Sequence, residues 1–224
     1  MTERTAQESK VANIAAMGDA LGSVYSELWQ EVAWIHQRWA HFVELFGTKP
    51  ERIDLMNQAA PSLFRTVQDT LFEAVVLHLA RLTDPSKNVL SLRRVAKLTA
   101  GTPIGKEVAN LVQEAVVATE FARDWRNRKV AHRDLQLALG GRAQTLAPAS
   151  RADVKAALKA VADVLNATSA HYLDSTTGFH LGASGTDALG LLHIIRDGLR
   201  CEDLRMERLR KGVFSPDDLK HEPI

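Results

Sequence analysis

The sequence predicts an all-α protein, an antiparallel helical bundle with an additional C-terminal helix. Apolar residues recur at three- and four-residue steps through most of the chain, which is the spacing of one face of an α-helix. Strand-type alternation of apolar and polar residues does not extend beyond four residues anywhere. The periodic segments are separated by short turns, and helices joined by short turns pack as antiparallel neighbours.

Prolines mark the ends of the first predicted helices. The apolar pattern over 19–46 stops before Pro50, where a second helix begins. Pro61 restarts or kinks that helix, because proline lacks the amide hydrogen that a helix interior needs. The pattern that follows Pro61 stops at Asp84, since a residue before proline avoids helical dihedral angles.

The later helices are predicted from the same spacing and from capping residues. Ser91 and Ser150 are expected N-caps, and Ser215 is expected to cap one more turn near the C-terminus. Thr119 is either a helix junction or a mid-helix residue. The predicted helices span 92–99, 104–119, 151–172 and 186–211, and the helical pattern resumes after Thr119 and continues to 139.

The bundle core is expected from four of these helices: 19–46, 61–83, 104–139 and 151–172. We predict a domain over 1–174 and a loop with a C-terminal helical extension over 175–224. The 186–211 helix is expected to pack outside the core helices or against another chain.

Composition restricts the possible functions. The formal net charge is +1, which gives no global attraction to nucleic acid or anionic membranes. Cys201 is the only cysteine, so we expect no internal disulfide and no cysteine zinc site. No two histidines have His-x3-His spacing, so we predict no structural metal, and we expect no cofactor. The polar N-terminus does not have the pattern of a secretory signal, and no apolar stretch approaches the length of a membrane span. We therefore expect a cytoplasmic protein with no membrane partner.

The segment 121–133 is the densest candidate for chemistry. Histidine exchanges protons near neutral pH, and arginine offers a rigid fork of donors suited to phosphate. Together they provide what metal-free phosphodiester cleavage requires. The segment contains His132 and the cations Arg123, Arg126, Arg128, Lys129 and Arg133, against a single carboxylate, Asp124.

Helical spacing places one arginine of the segment on the same face as His132 and another on a different face. Arg128 and His132 are four residues apart and share one face of an α-helix. Arg126 and His132 are six apart, so their side chains would diverge by about 120° in an ideal helix. A long arginine side chain, a helix that begins or distorts here, or a site shared by two chains would each relieve that divergence.

A purely structural interpretation also accounts for this segment. Helices with several arginines are usually solvated, and Asp124–Arg128 is an ordinary pair four residues apart. His132 would then lie at the edge of the core. His78 is likewise interpreted as a core or interface residue, and Arg81 as a cation that complements a helix C-terminus.

The segment from Arg126 to His132 resembles the signature of the HEPN superfamily. That signature is an arginine, then a polar residue, here Asn127, then a histidine a few positions later. The chain is similar to the abortive-infection, AbiU-like group of that superfamily. Three short sequences carry this similarity: Lys-Val-Ala-His-Arg-Asp, Leu-Ala-Arg-Leu-Thr-Asp-Pro ending at Pro85, and the Leu-Ser-Leu that follows it. The resemblance covers roughly residues 20–170.

The resemblance implies a helical bundle that forms a homodimer, with the two signature segments facing each other across a composite cleft. It also implies a metal-independent endoribonuclease in which the ribose 2′-hydroxyl attacks the adjacent phosphate. His132 would handle the proton, Arg126 would hold the phosphate, and Asn127 would position the helix or the substrate. Arg128, Lys129 and Arg133 are assigned further RNA contacts, a role that the family pattern does not require. Arg81, Asp84 and Asp134 are assigned structural support.

Three functional classes follow. The first is a dimeric ribonuclease that acts as a toxin or phage-defence effector, with RNA as substrate and an antitoxin or other regulatory partner. The second is a non-catalytic helical module that uses the cationic segment to bind nucleotide, RNA or an acidic protein. The third is a structural protein whose arginines are solvated. If the bundle folds as predicted, Asp84 is expected to pair with a basic residue of the signature segment.

Overall fold

The computed structural model describes residues 5–47, 49–130, 139, 145–181 and 186–220. All regular secondary structure within these ranges is helical, so the all-α prediction is confirmed. None of the described helices has the length and apolar character that crossing a bilayer requires.

The helices begin and end close to where the sequence predicts. Ser150 caps its helix through a capping box, in which the Asp153 backbone amide donates to the serine Oγ at 3.2 Å. Ser91 is the N-cap of its helix, although its side chain makes no capping hydrogen bond. The α-helices are α1 (Ala6–Met17), α2 (Asp19–Phe46), α3 (Pro50–Ala59), α4 (Pro61–Leu82), α5 (Leu92–Thr99), α6 (Gly105–Ala118), α7 (Glu120–Trp125), α8 (Arg151–Leu173) and α9 (Thr186–Arg210). A π-helical turn spans Arg126–Val130, and a 3-10 turn spans Pro216–Leu219.

The chain forms two compact units. The first comprises Met1–Ala40 and Thr70–Ala183, and the second comprises His41–Asp69 and Ser184–Ile224. The domain boundary expected between 174 and 175 stays a prediction.

The first unit contains the main hydrophobic core. Each of the four predicted core helices supplies completely buried side chains to it, and α6 packs against both α5 and α8. Burying one leucine or valine side chain contributes about 1.5–3 kcal/mol, so this core is the principal source of the unit's stability. Its completely buried members include Leu28, Val32 and Ile35 from α2, Val75 and Leu79 from α4, Val108 from α6, and Val161 and Leu165 from α8.

An N-terminal helix, α1, is present where the sequence analysis found only a polar segment. It begins with a capping box: the Glu8 amide donates to Thr5 Oγ1 at 3.2 Å, and the Thr5 amide donates to Glu8 Oε2 at 2.8 Å. The helix crosses α2 closely at Gly22, where a Cβ atom would lie 2.5 Å from the Ile14 Cα. The capping-box spacing of Thr5 and Glu8 is visible in the sequence and is the local signal for this helix.

In the second unit, α9 packs against α3. Met56 of α3 and Leu192 of α9 are buried there, whereas Ile194 is largely exposed. The turn predicted after Ser215 is confirmed as the 3-10 turn, and its Asp218 accepts hydrogen bonds from Arg208 and from the Ser215 amide.

Candidate functional site

The site is built around an ion pair between Asp84 and Arg126. The chain leaves α4 after Leu82, and Asp84 lies directly before Pro85, where a helix cannot continue. Arg126 Nη1 donates to Asp84 Oδ2 at 2.8 Å, while Asp84 Oδ1 accepts the Ser86 amide at 2.8 Å. The contact expected between Asp84 and a basic residue of the signature segment is therefore present.

A buried threonine pair fixes the end of α4 against the junction of α6 and α7. Thr83 and Thr119 are both completely buried, and their Oγ1 atoms lie 2.7 Å apart. The Thr119 hydroxyl is also 2.8 Å from the Ala115 carbonyl oxygen, and Arg93 Nε donates to the Thr83 carbonyl at 3.1 Å. Because buried hydroxyls must be paired, these contacts hold Asp84 in a defined position relative to Arg126.

The helix that carries the signature changes type at Arg126. The sequence predicts a helical pattern that continues to 139 and leaves open a distortion near Arg126. The α-helix ends at Trp125 and a π-helical turn follows over Arg126–Val130, while 131–138 lie outside the described residues. Ideal α-helical spacing therefore does not hold over Arg126–Val130. Single π-turns within helices occur frequently at functional sites.

Residues 145–147 lie against the point where the helix type changes. The Ala147 amide donates to Asp124 Oδ2 at 2.8 Å, and Trp125 Nε1 donates to the Ala147 carbonyl at 2.8 Å. Arg128 Nη1 donates to the Thr145 carbonyl at 3.3 Å. Backbone groups of 145–147 therefore form hydrogen bonds with side chains on both sides of the change from α-helix to π-helix at Arg126.

Arg126 is held in a single orientation. Its Nε donates to Asn127 Oδ1 at 3.0 Å, and its Nη1 donates to Asp84, so two sides of the guanidinium group are engaged. Its Nη2 has no hydrogen-bond partner among the described residues, and the side chain is 28% exposed. A fixed, partly accessible donor of this kind loses little conformational freedom when it binds an anion.

Hydrogen bonds keep Asp84 ionised. The pKa of its carboxyl group is lowered from 3.8 to about 2, first by the hydrogen bonds from Ser86 and then by those from Arg126. Asp84 therefore carries its charge at neutral pH and offsets that of Arg126. The pair contributes a defined geometry rather than excess positive charge.

The other described cations of the segment also have intramolecular contacts. Arg128 pairs with Asp124 at 3.3 Å, which is the four-residue spacing seen in the sequence. Lys129 lies over the Trp125 ring at 4.7 Å from its centroid, and Arg123 Nη2 donates to the Val116 carbonyl at 2.8 Å. These contacts tie the cations to the surface of the first unit.

The remaining predicted site residues are placed differently. Arg81 donates to Glu31 of α2 and lies beside His78. None of these contacts involves the signature segment. His132, Arg133 and Asp134 lie outside the described residues. Thr83, Thr119 and Arg93 were not assigned to the site from the sequence, because no spacing pattern connects them; only Thr119 was singled out, as a helix junction or mid-helix residue.

Metal ligands do not cluster in the ranges that the structure describes: no group of three or more His, Cys, Asp or Glu side chains there is arranged to hold an ion.

Comparison with known protein families tests the resemblance to the HEPN superfamily. The family model described as AbiU2, of the HEPN superfamily, matches residues 18–187. The chain belongs to the HEPN AbiU2 family. The matched range of this HEPN AbiU2 protein contains both Asp84 and the whole segment 121–133. No curated protein and no solved structure matches the chain.

Proposed function

We propose that this HEPN AbiU2 protein is a metal-independent endoribonuclease that acts as a toxin or phage-defence effector in abortive infection. The observation that carries the proposal is the guanidinium group of Arg126, which Asp84 and Asn127 hold in place within the family's signature segment.

The proposed reaction uses groups of the RNA itself. The ribose 2′-hydroxyl attacks the adjacent phosphorus, the bond to the 5′-oxygen breaks, and a 2′,3′-cyclic phosphate forms. His132 takes part in proton transfer between the attacking and leaving oxygens, as an imidazole can near neutral pH. Arg126 stabilises the charge that develops on the phosphate oxygens.

Fixed orientation supports this role for Arg126. A donor that is already oriented stabilises a transition state without a further cost of reorganisation. Asn127 would act as a positioning residue, because its Oδ1 accepts from Arg126 Nε. Asp84 would act in the same way from the opposite side of the guanidinium group.

A cleft shared by two chains is part of the proposal. In a symmetric dimer, the composite cleft would hold two catalytic pairs, each combining Arg126 of one chain with His132 of its partner. Mixing Arg126→Gln protein with His132→Ala protein then creates one intact pair in each mixed dimer, so activity returns to about a quarter of the wild-type value. If each site is contained within one chain, the mixture remains inactive, and the shared cleft is wrong.

The activity itself is tested by RNA cleavage and by growth on expression. Wild-type protein should cleave cellular RNA in the presence of a chelator and inhibit growth, whereas His132→Ala and Arg126→Gln should do neither. Arg65→Gln is the matched control, because Arg65 is an exposed arginine of α4 paired only with Asp69 in the described part of the chain. Cleavage by the His132→Ala protein at the wild-type rate would exclude the mechanism.

One observation favours the alternative, a helical module that binds nucleotide, RNA or an acidic protein without cleaving RNA. Arg126, Arg128 and Lys129 each have an intramolecular contact, as they would in a segment that serves mainly for folding and binding. Under this alternative, RNA binding survives His132→Ala and fails in Arg126→Gln, with no cleavage product from either protein. Binding through phosphate contacts would also weaken steeply as salt is added.

A further inference from the structure

A groove with a volume of about 900 Å³ lies within the first unit, between α1, α2 and the segment that follows α8. Its volume is within the range of roughly 300–1,000 Å³ that is typical of small-molecule clefts. No residue of the segment 121–133 lines it. We call it the α1–α2 groove, and the lining residues that matter for its chemistry are Lys10 and Asn13 of α1 and Trp29, Gln30, Trp34 and Gln37 of α2.

Hydrogen bonds fix the walls of the groove. Trp29 Nε1 donates to Thr177 Oγ1 at 3.0 Å, and the Thr177 amide donates to Asn166 Oδ1 of α8 at 2.8 Å. On the opposite side, Asn13 Nδ2 donates to Ser26 Oγ at 2.9 Å, which joins α1 to α2. These contacts give the groove a defined shape in the absence of a ligand, which reduces the entropy that binding costs.

Trp34 differs from the other tryptophans of α2. The three are five residues apart along the helix, so they point to different sides of it. Trp29 and Trp39 pack against the hydrophobic core, whereas Trp34 lines the groove and is 55% exposed. An exposed indole of this kind is a stacking platform for a planar ring, because the stack removes both faces in contact from water.

Two amide side chains flank Trp34 on the same face of α2. Gln30 lies four residues before it and Gln37 three residues after it, which is the spacing of neighbours on a helix surface. Both line the groove, and neither amide has a hydrogen-bond partner among the described residues. An amide presents a donor beside an acceptor, and this pair matches the ring nitrogen N7 and the neighbouring amino group of adenine.

The charge of the groove is almost balanced. Among the described residues that line it, Lys10 is the only Lys, Arg, Asp or Glu, and its Nζ lies 2.7 Å from Glu27 Oε1. A strand of RNA is ordinarily held by a positively charged track along its phosphates. A single lysine that is already paired does not form such a track, so the groove fits an uncharged ring better than a polynucleotide.

We propose that the α1–α2 groove binds the adenine base of a small molecule, a free adenine nucleoside or nucleotide. The base stacks on Trp34, and the amide of Gln30 or Gln37 forms hydrogen bonds with its edge. Phosphate groups add little to the affinity, because the one lysine of the groove is paired with Glu27. The site is separate from the signature segment, and its binding does not require that the protein cleave RNA.

Equilibrium dialysis of the full-length protein against adenosine tests the stacking contact. Wild-type protein should retain adenosine, and Trp34→Ala should weaken binding about tenfold or more, which is the expected loss of one stack between a base and an aromatic ring. Trp34→Phe keeps a smaller ring and should have intermediate affinity. Gln7→Ala is the matched control and should bind as wild type does, because Gln7 is an exposed residue of α1 that does not line the groove.

Inosine tests the amide contacts. It keeps the purine ring but has a carbonyl oxygen in place of the amino group, so it cannot donate to an amide oxygen there. Wild-type protein should bind adenosine about two- to tenfold more tightly than inosine, which is the contribution of one hydrogen bond. The double variant Gln30→Ala with Gln37→Ala should lose this preference and still bind both nucleosides. Equal affinity of the wild-type protein for the two nucleosides would overturn the assignment to adenine.

Salt and chain length distinguish a small ligand from an RNA strand. Adenosine and adenosine 5′-monophosphate should bind with similar affinity, and added salt should change neither. An oligoadenosine that binds about tenfold or more tightly than adenosine and is released by salt would contradict the proposal in favour of an RNA strand.

The location of the site is tested by the same variants. Circular dichroism checks the folding of each, and if Trp34→Ala does not fold, Trp34→Phe and the double glutamine variant replace it. No retention of millimolar adenosine by the wild-type protein would overturn the proposal. Equal affinity of the wild-type and folded Trp34 variants would place the binding elsewhere and would overturn it as well.

Discussion

Replacing Asp84 with asparagine removes the charge of the Asp84–Arg126 pair but keeps the size of the side chain and one acceptor oxygen. The pKa difference between 3.8 and about 2 corresponds to about 2 kcal/mol in favour of the ionised carboxylate in the folded state. Asp84→Asn should therefore lower the free energy of unfolding by about 2 kcal/mol at neutral pH, since it also leaves Arg126 without a counter-ion.

The effect should depend on pH with a definite sign. The folded-state pKa of Asp84 is lowered, so its stabilising contribution is complete above the unfolded value of 3.8 and is lost as the pH falls through about 2. At about pH 3, the difference between wild type and Asp84→Asn should have decreased to roughly 1 kcal/mol. Urea unfolding followed by circular dichroism at both pH values measures this difference.

Asp69→Asn is the matched control for that experiment. Asp69 forms an exposed pair with Arg65 on α4, and exposed pairs of this kind contribute about 0–1 kcal/mol. A wild-type protein no more stable than Asp84→Asn at neutral pH, or a difference that stays constant on acidification, would refute the assignment of stability to the Asp84 charge.

Two further predictions concern packing and buried hydroxyls. Gly22→Ala should destabilise the protein by about 1–3 kcal/mol, because its Cβ would meet the Ile14 backbone; a melting temperature at or above wild type would contradict this. Gly190→Ala, where a Cβ has open space, is the control and should raise the melting temperature slightly. Thr119→Val should cost about 1–3 kcal/mol in urea unfolding, because it removes the nearer partner of the buried Thr83 hydroxyl and leaves it only the Leu79 carbonyl at 3.3 Å. Adding Thr83→Val should recover part of that loss, and two losses that simply add would show that the hydroxyls do not interact.

Local signals in the sequence were sufficient for most helix boundaries. Prolines and short turns mark the ends of α2 to α4, since their effect on the backbone does not depend on distant residues. The helix α1 was missed although Thr5 and Glu8 have capping-box spacing, because its apolar face is weak and the periodicity gave no support.

Features that depend on distant contacts were predictable only in part. The Asp84–Arg126 contact joins residues 42 apart. The predicted bundle led to the expectation that Asp84 pairs with a basic residue of the signature segment, but the sequence did not select Arg126 among them. A distortion near Arg126 was one of the alternatives that the sequence left open, but its π-helical type was not predictable, since the contacts that accompany it come from 145–147, a segment without any recognisable pattern. Likewise, nothing local links Thr83 to Thr119, because two threonines form such a pair only when tertiary packing buries both.

The most direct test of the central claim is the identity of the RNA ends produced by the purified protein with a chelator present. Our account predicts fragments that end in a 2′,3′-cyclic phosphate from the wild-type protein and intact RNA from His132→Ala and Arg126→Gln. Identical fragments from wild type and His132→Ala, or cleavage that stops when the chelator is added, would contradict it.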